Sequence, residues 1–121
     1  MDKEQAIHSF WNSFNVKAYD ENSVPDDAAF PRITYSIATS SFEDVVAMTV
    51  NLWDKSTSWA NITHLKDLIS ETIGSGGTVL PIDNGYVWLN RGSTFAQRLN
   101  GNDDTIRRIY LQLQVEFFTN N

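Results

Sequence analysis

Apolar and polar side chains alternate through residues 105–118. The apolar positions of this run include Ile109, Leu111, Leu113, Val115 and Phe117, and the positions between them are polar. Successive side chains of a strand point to opposite faces of a sheet, so a period of two predicts a half-buried strand. The run is much longer than the usual strand of about 5 or 6 residues, and we therefore expect a central strand with several partners.

A helical period is present near the start of the chain. Its apolar residues are Ile7, Phe10, Trp11 and Phe14, which together form a mainly aromatic stripe. This spacing lines one side of a helix and predicts a helix from about Lys3 to Phe14, with Asp2 as its N-cap. We expect the aromatic stripe to cover the sheet, and a helix that binds a partner is the alternative interpretation.

A second helix is predicted from about Ser58 to Ile73. Its stripe consists of Ile62, Leu65, Ile69 and Ile73, and Leu68 is expected to widen it. The polar run Asp54 to Ser58 supplies candidate caps, and Gly74 is expected to end the helix in the left-handed conformation. The run Gly74-Ser75-Gly76-Gly77 is not expected to bind phosphate, because a phosphate loop opens a helix whereas these glycines close one.

Shorter apolar runs predict the remaining strands. They cover Arg32 to Ala38, Asp44 to Trp53, Thr78 to Ile82 and Tyr86 to Asn90. The first two are separated by the polar break Thr39-Ser40-Ser41 and are expected to form an antiparallel hairpin. The last two flank the turn Asp83-Asn84-Gly85, whose Asn-Gly pair suits positive φ angles, and Pro81 favours an edge position.

Two segments lack a clear period and are expected to be loops. They are Asn15 to Pro31 and Arg91 to Asp104. The predicted order is therefore helix, two strands, helix and three strands. This order indicates an α+β fold, with two helices packed on a mainly antiparallel sheet for which a mixed arrangement stays open. The length of 121 residues suits one domain over residues 1–121.

Charge and composition narrow the classes of partner. The net charge of −6 argues against direct nucleic-acid binding, since a phosphate backbone attracts cationic surfaces. No apolar run approaches the roughly 20 residues that span a bilayer, and the charged run Met1-Asp2-Lys3-Glu4 lacks the apolar core expected of a secretion signal, so we expect no membrane contact. The chain has no cysteine, which excludes disulfides and thiolate sites. Proteins are the expected partners.

The sequence offers no recognisable catalytic set. His8 and His64 are the only histidines, and the single His64–Asp67 pair is far short of a metal site. There is no Gly-x-Ser-x-Gly elbow, and the carboxylates fall mainly in predicted loops. We therefore expect a protein without enzymatic activity, catalytic residues, cofactor or metal.

Several short stretches in sequence order carry a family resemblance. They are Ile7 to Phe14, Ala18-Tyr19-Asp20-Glu21, Val24-Pro25, Phe30-Pro31-Arg32-Ile33-Thr34-Tyr35, Leu52-Trp53-Asp54, Ser58-Trp59, Trp88-Leu89-Asn90-Arg91-Gly92 and Ile106-Arg107-Arg108-Ile109-Tyr110. Together they resemble the tail terminator or tail completion proteins of long-tailed bacteriophages, a family similar in fold to the lambda tail terminator. The resemblance covers nearly the whole chain, and its motifs are structural rather than chemical.

The resemblance implies a ring, usually hexameric, that caps the growing tail tube and ends its polymerisation. The implied partners are further copies of the chain, the tail tube protein and a head completion or connector protein. The implied location is the head-proximal end of the virion tail, after assembly in the host cytoplasm. No motif of the family supplies binding residues that can be carried over.

Candidate interface residues follow instead from the sequence itself. In the predicted loop, Phe95 is expected to act as an apolar anchor, with Arg91 and Arg98 as hydrogen-bonding groups. The alternative interpretation is that this loop packs against its own domain and takes no part in an interface. The polar face of the last strand supplies Arg108, Gln112 and Glu116 as further candidates.

Two other functions stay open at this stage. A head-completion or tail-tube subunit would form an open stack of copies rather than one closed ring. A small ligand-binding or hydrolytic α+β domain would be a monomer with a polar pocket. The state of association separates all three.

Overall fold

The structure, a computed structural model, describes residues 1–37, 45–100 and 104–119. Within them the elements are α1 (Lys3–Trp11), β1 (Lys17–Asp20), β2 (Arg32–Ile37), β3 (Val45–Lys55), α2 (Ala60–Ile73), β4 (Thr78–Ile82), β5 (Gly85–Asn100) and β6 (Ile106–Thr119). Short 3-10 turns follow α1 at Asn12–Phe14 and β1 at Glu21–Ser23. The α+β class is confirmed, with one strand more than the sequence predicted.

All the described strands belong to one sheet with the order β1-β2-β3-β6-β5-β4. Strand β6 is confirmed as a central strand, because it pairs antiparallel with β3 on one side and with β5 on the other. Strands β2 and β3 form the expected antiparallel pair, and β4 with Pro81 lies at an edge. Strand β1 pairs parallel with β2, which makes the sheet mixed.

The apolar side chains of the neighbouring strands lie on one face of the sheet. In register, Val46, Met48, Val50 and Leu52 of β3 lie opposite Val115, Leu113, Leu111 and Ile109 of β6. These side chains are buried in one cluster with the apolar stripes of both helices. Helix α1 contacts both β1 and β4, so the sheet curls around this helix. We call this covered side the helix face.

Helix α1 begins as the sequence predicted. The Asp2 side chain accepts a hydrogen bond from Gln5 N, and the Gln5 side chain accepts one from Asp2 N, which forms a capping box. The aromatic stripe is buried, and the α-helix itself ends at Trp11, so that Phe14 lies in the following 3-10 turn.

Helix α2 follows its predicted stripe with three differences. It begins at Ala60 rather than Ser58, and Ser58 Oγ accepts from Ala60 N at 3.1 Å. Leu68 is 41% exposed and does not widen the buried stripe. Gly74 has the expected positive φ of 72° but a ψ of 177°, which lies outside the left-handed helical region.

Two predicted loops contain strands. Residues 15–31 include β1, which is short and carries no visible alternation. The segment predicted as the loop Arg91 to Asp104 continues β5 as far as Asn100, and a bulge between Arg91 and Ala96 shifts the pairing with β6. Extra residues at a bulge break the period of two, which explains the wrong prediction.

The turn between β4 and β5 is in the predicted place but has another geometry. Ile82 pairs with Gly85, so the connection consists of Asp83 and Asn84. Neither residue has a positive φ, and Gly85 begins β5 with a φ of 154°. The predicted positive φ at Asn84 is therefore wrong. The predicted break Thr39-Ser40-Ser41 lies outside the described residues.

Candidate interaction surfaces

The sheet face opposite the helix face carries no helix among the described residues, and we call it the open face. The register places there the side chains of Thr34, Ser36, Thr49, Asn51, Trp53, Trp88, Asn90, Arg108, Tyr110, Gln112, Gln114 and Glu116. Three predicted interface residues, Arg108, Gln112 and Glu116, lie here as the alternation of β6 indicated. Most of these groups are neutral hydrogen-bonding side chains.

A hydrogen-bonded network fixes one end of the open face. Arg108 Nε donates to Asn51 Oδ1 at 2.7 Å, and its guanidinium lies 5.0 Å from the centre of the Trp53 ring. Trp53 Nε1 donates in turn to Thr34 Oγ1 at 3.0 Å. Asn51 and Thr34 are buried, so these contacts satisfy polar groups that would otherwise destabilise the fold. Arg108 is thus held in place by neutral partners.

An apolar corner occupies the other end of the open face. The Tyr86 and Phe118 rings stack with their centres 4.6 Å apart, and the side chains are 41% and 37% exposed. Val79 on the edge strand β4 is 55% exposed and pairs with Trp88, next to them. Exposed apolar clusters with a polar surround are typical of protein interfaces.

The other three predicted interface residues lie on the helix side of β5. Arg91 pairs with Leu113, and Arg98 pairs with Ile109, so both share the phase of the buried side chains. In a regular strand two residues seven positions apart would point to opposite faces, and the bulge brings both arginines to one face.

Neutral groups hold both arginines of β5. Arg91 Nη1 donates to Ser70 Oγ at 3.1 Å, and its guanidinium is 5.9 Å from the Phe95 ring centre. Arg98 Nη2 donates to Thr63 Oγ1 at 3.4 Å and lies 4.7 Å from the Trp59 ring centre. Both side chains remain exposed. We call Arg91 and Arg98 the β5 arginine pair.

Phe95 is partly buried against the core rather than presented on a loop. Beside Arg98, between α2 and β5, lies a small hollow of about 180 Å³. It is lined by Thr63, Lys66, Ala96, Gln97, Arg98 and Ile109. The apolar part of the predicted interface is therefore turned inwards, while both arginines face outwards and Arg98 lies beside the hollow.

A larger cleft of about 510 Å³ lies between α1 and the end of β1. It is lined by Glu4, Gln5, Ile7, His8, Asp20, Asn22, Tyr35, Ser36 and Ile37, and we call it the acidic cleft. Strand β1 ends at Asp20, which pairs with Tyr35, so β2 continues beyond its partner and the cleft forms there. His8 Nδ1 and Tyr35 Oη are hydrogen-bonded at 2.9 Å.

The charges of the cleft act on Tyr35. Burial raises the pKa of the Tyr35 phenol above its usual 10.0, and the negative charges of Asp20 and Glu4 raise it further. Both carboxylates are exposed, and neither has an ion-pair partner within the described chain. The cleft is therefore a region of negative potential.

The sequence did not reveal the acidic cleft or the buried carboxylate of Asp54 opposite Arg107. The alternation of β3 and β6 places Asp54 and Arg107 in the buried phase, and they lie opposite each other. Asp54 is buried, and its Oδ2 has no hydrogen-bond partner in the described structure. Extending the alternation of β3 and β6 by one step would have placed Asp54 opposite Arg107 on the buried face. The cleft could not be found in this way, because it depends on where β1 ends.

In the part of the chain that the structure describes, no group of histidine and carboxylate side chains could hold a metal ion. None of the described helices has the length and hydropathy needed to cross a bilayer.

The chain matches no known protein-family model, and it matches no curated protein.

Proposed function

We propose that this protein is a structural component of a long-tailed phage virion that forms a closed ring on the tail tube, ends its growth and joins it to the head connector. The observation that supports the proposal is the open face. A sheet with both helices on one side leaves a broad second side with neutral polar groups and an apolar corner. Such a surface suits contact with another protein.

A closed ring also needs two different patches that meet head to tail. The acidic cleft borders β1 and β2, whereas the β5 arginine pair lies beyond β6 in the strand order. The β5 arginine pair lies on the side opposite the open face, and the acidic cleft meets the open face only at Ser36. The molecule thus has surfaces for neighbours around a ring and another surface for the tube or the connector.

The proposal predicts a discrete ring that arrests tube growth. Light scattering of the purified protein, alone and with tube protein, should show one closed oligomer, and added protein should shorten the tubes seen by electron microscopy. Gln112→Arg places a bulky charge in the middle of the open face and should abolish arrest while the ring still forms. Glu71→Arg, on an exposed position of α2, serves as the control.

Other outcomes favour other functions. Unlimited polymers of this chain would favour a tube or head-completion subunit, and growth of tubes at the normal rate would contradict the capping function. The acidic cleft favours a second candidate, a small ligand-binding domain. A monomer that binds a small cationic molecule and leaves tubes unaffected would support that alternative.

A further inference from the structure

Most charged side chains of the described residues are not paired with each other. Within the described residues the ion pairs are Met1 with Asp83 and Lys66 with Asp67, and no arginine takes part in one. The arginines are held instead over aromatic rings and by neutral oxygen acceptors. Guanidinium groups fixed in this way have lost part of their side-chain freedom, so an added carboxylate binds them at a lower entropic cost.

Two of these separated charge sets have matching properties. The lining of the acidic cleft combines the carboxylates of Glu4 and Asp20 with apolar residues that include the half-buried Ile37. A long cationic side chain with an apolar stem suits this combination, because the stem can pack on apolar lining while the charged end meets the carboxylates. The β5 arginine pair presents such groups at the surface.

We infer that the acidic cleft of one copy binds the β5 arginine pair of the next copy. The inference rests on the proposed ring and names its contact. Each copy then contributes a cleft on one side and arginines on the other, which is the arrangement of a heterologous interface. Charge complementarity argues for a second copy as the occupant, because the exposed cations of the β5 arginine pair and the exposed carboxylates of the cleft are both without an ion-pair partner among the described residues.

Neutralising either side should weaken association. The double variants Glu4→Gln with Asp20→Asn, and Arg91→Gln with Arg98→Gln, each remove one side of the contact and leave the other intact. Either protein alone should associate at least about tenfold more weakly than the unmodified chain, as loss of paired interface charges usually does. Glu71→Gln and Lys55→Gln remove exposed charges elsewhere and should leave association unchanged.

Mixing the two variants gives the decisive result. Each retains one functional surface, so an equimolar mixture should form heterodimers and no larger ring. Native mass spectrometry distinguishes the two variants within a complex, because their masses differ. Association of the unmodified chain should also weaken as salt rises from about 0.05 M to about 0.5 M, because salt screens exposed charges.

The results separate this contact from the function it serves. If both variants form rings as the unmodified chain does, this contact is wrong and the ring stands. If the variants behave as expected but the unmodified chain forms open polymers, the contact stands and the closed ring is wrong. A monomer at every concentration, with or without tube protein, contradicts both, and saturable binding of arginine amide by that monomer would identify a small cation as the occupant.

Discussion

At Gly77 the chain passes too close to the sheet for a side chain to fit. A Cβ there would lie 2.5 Å from both Trp88 Nε1 and Asn90 Oδ1, and φ is +82°. The backbone oxygen of Leu89 would be 2.6 Å away. Both the space and the backbone conformation therefore demand glycine at this position.

Gly77→Ala should lower the free energy of unfolding by roughly 1 to 3 kcal/mol, because it combines overpacking with an unfavourable φ. Gly76→Ala is the matched control, since a Cβ at Gly76 would meet nothing within 4 Å. Its stability should be unchanged or slightly higher. Urea denaturation measures both variants, and equal stabilities would contradict the close approach at Gly77.

Tyr35 links the acidic cleft to the behaviour of the protein at high pH. Its pKa is raised in the folded protein by burial and by the charges of Asp20 and Glu4. Below the unfolded pKa of about 10 the phenol is protonated in both states, and stability does not change with pH on its account. Above that pH the unfolded state loses the proton first, so stability falls.

Tyr35→Phe should therefore reduce the loss of stability between about pH 9 and about pH 11, because phenylalanine has no proton to lose. At neutral pH the variant should be less stable by about 1 kcal/mol, since the hydrogen bond with His8 is removed. Denaturant titrations at several pH values give both quantities. An unchanged slope above pH 9 would show that Tyr35 does not ionise differently in the two states.

Elements with an unbroken period were predictable, and elements with local irregularities were not. Strand β6 and the stripes of both helices follow from spacing alone, because burial on one face imposes a fixed period. The second half of β5 was missed because the bulge at Arg91 to Ala96 shifts the phase. Strand β1 consists only of Lys17–Asp20, which is too short to show a period, and its parallel pairing with β2 depends on tertiary contacts.

Helix α2 offers a test at this scale, because two consecutive residues differ in burial: one belongs to the buried stripe and the other faces outwards. Ile69 is fully buried, whereas Leu68 is 41% exposed. Ile69→Ala should cost about 2 to 5 kcal/mol of stability, while Leu68→Ala should cost much less because little apolar area is lost. Thermal unfolding of the two variants provides the comparison, and similar midpoints would contradict the orientation of the helix.

For the molecule as a whole, the sequence predicted the layered α+β arrangement but only part of the candidate surface. Arg108, Gln112 and Glu116 follow from the alternation of β6, which also determines that they share the open face. The acidic cleft could not be predicted, because it combines α1, β1 and β2 at a place set by the curl of the sheet. Surfaces assembled from distant segments depend on tertiary packing.

The position of β6 in the sheet has a consequence for biosynthesis. Strands β3 and β5 do not pair with each other, and both depend on a strand that follows them in the chain. Until residues 106–119 are synthesised, the nascent chain holds two half-sheets whose inner edges are unsatisfied and prone to aggregation. Productive folding therefore has to wait for late translation, and ribosome pausing before Ile106 would be more harmful than pausing after it.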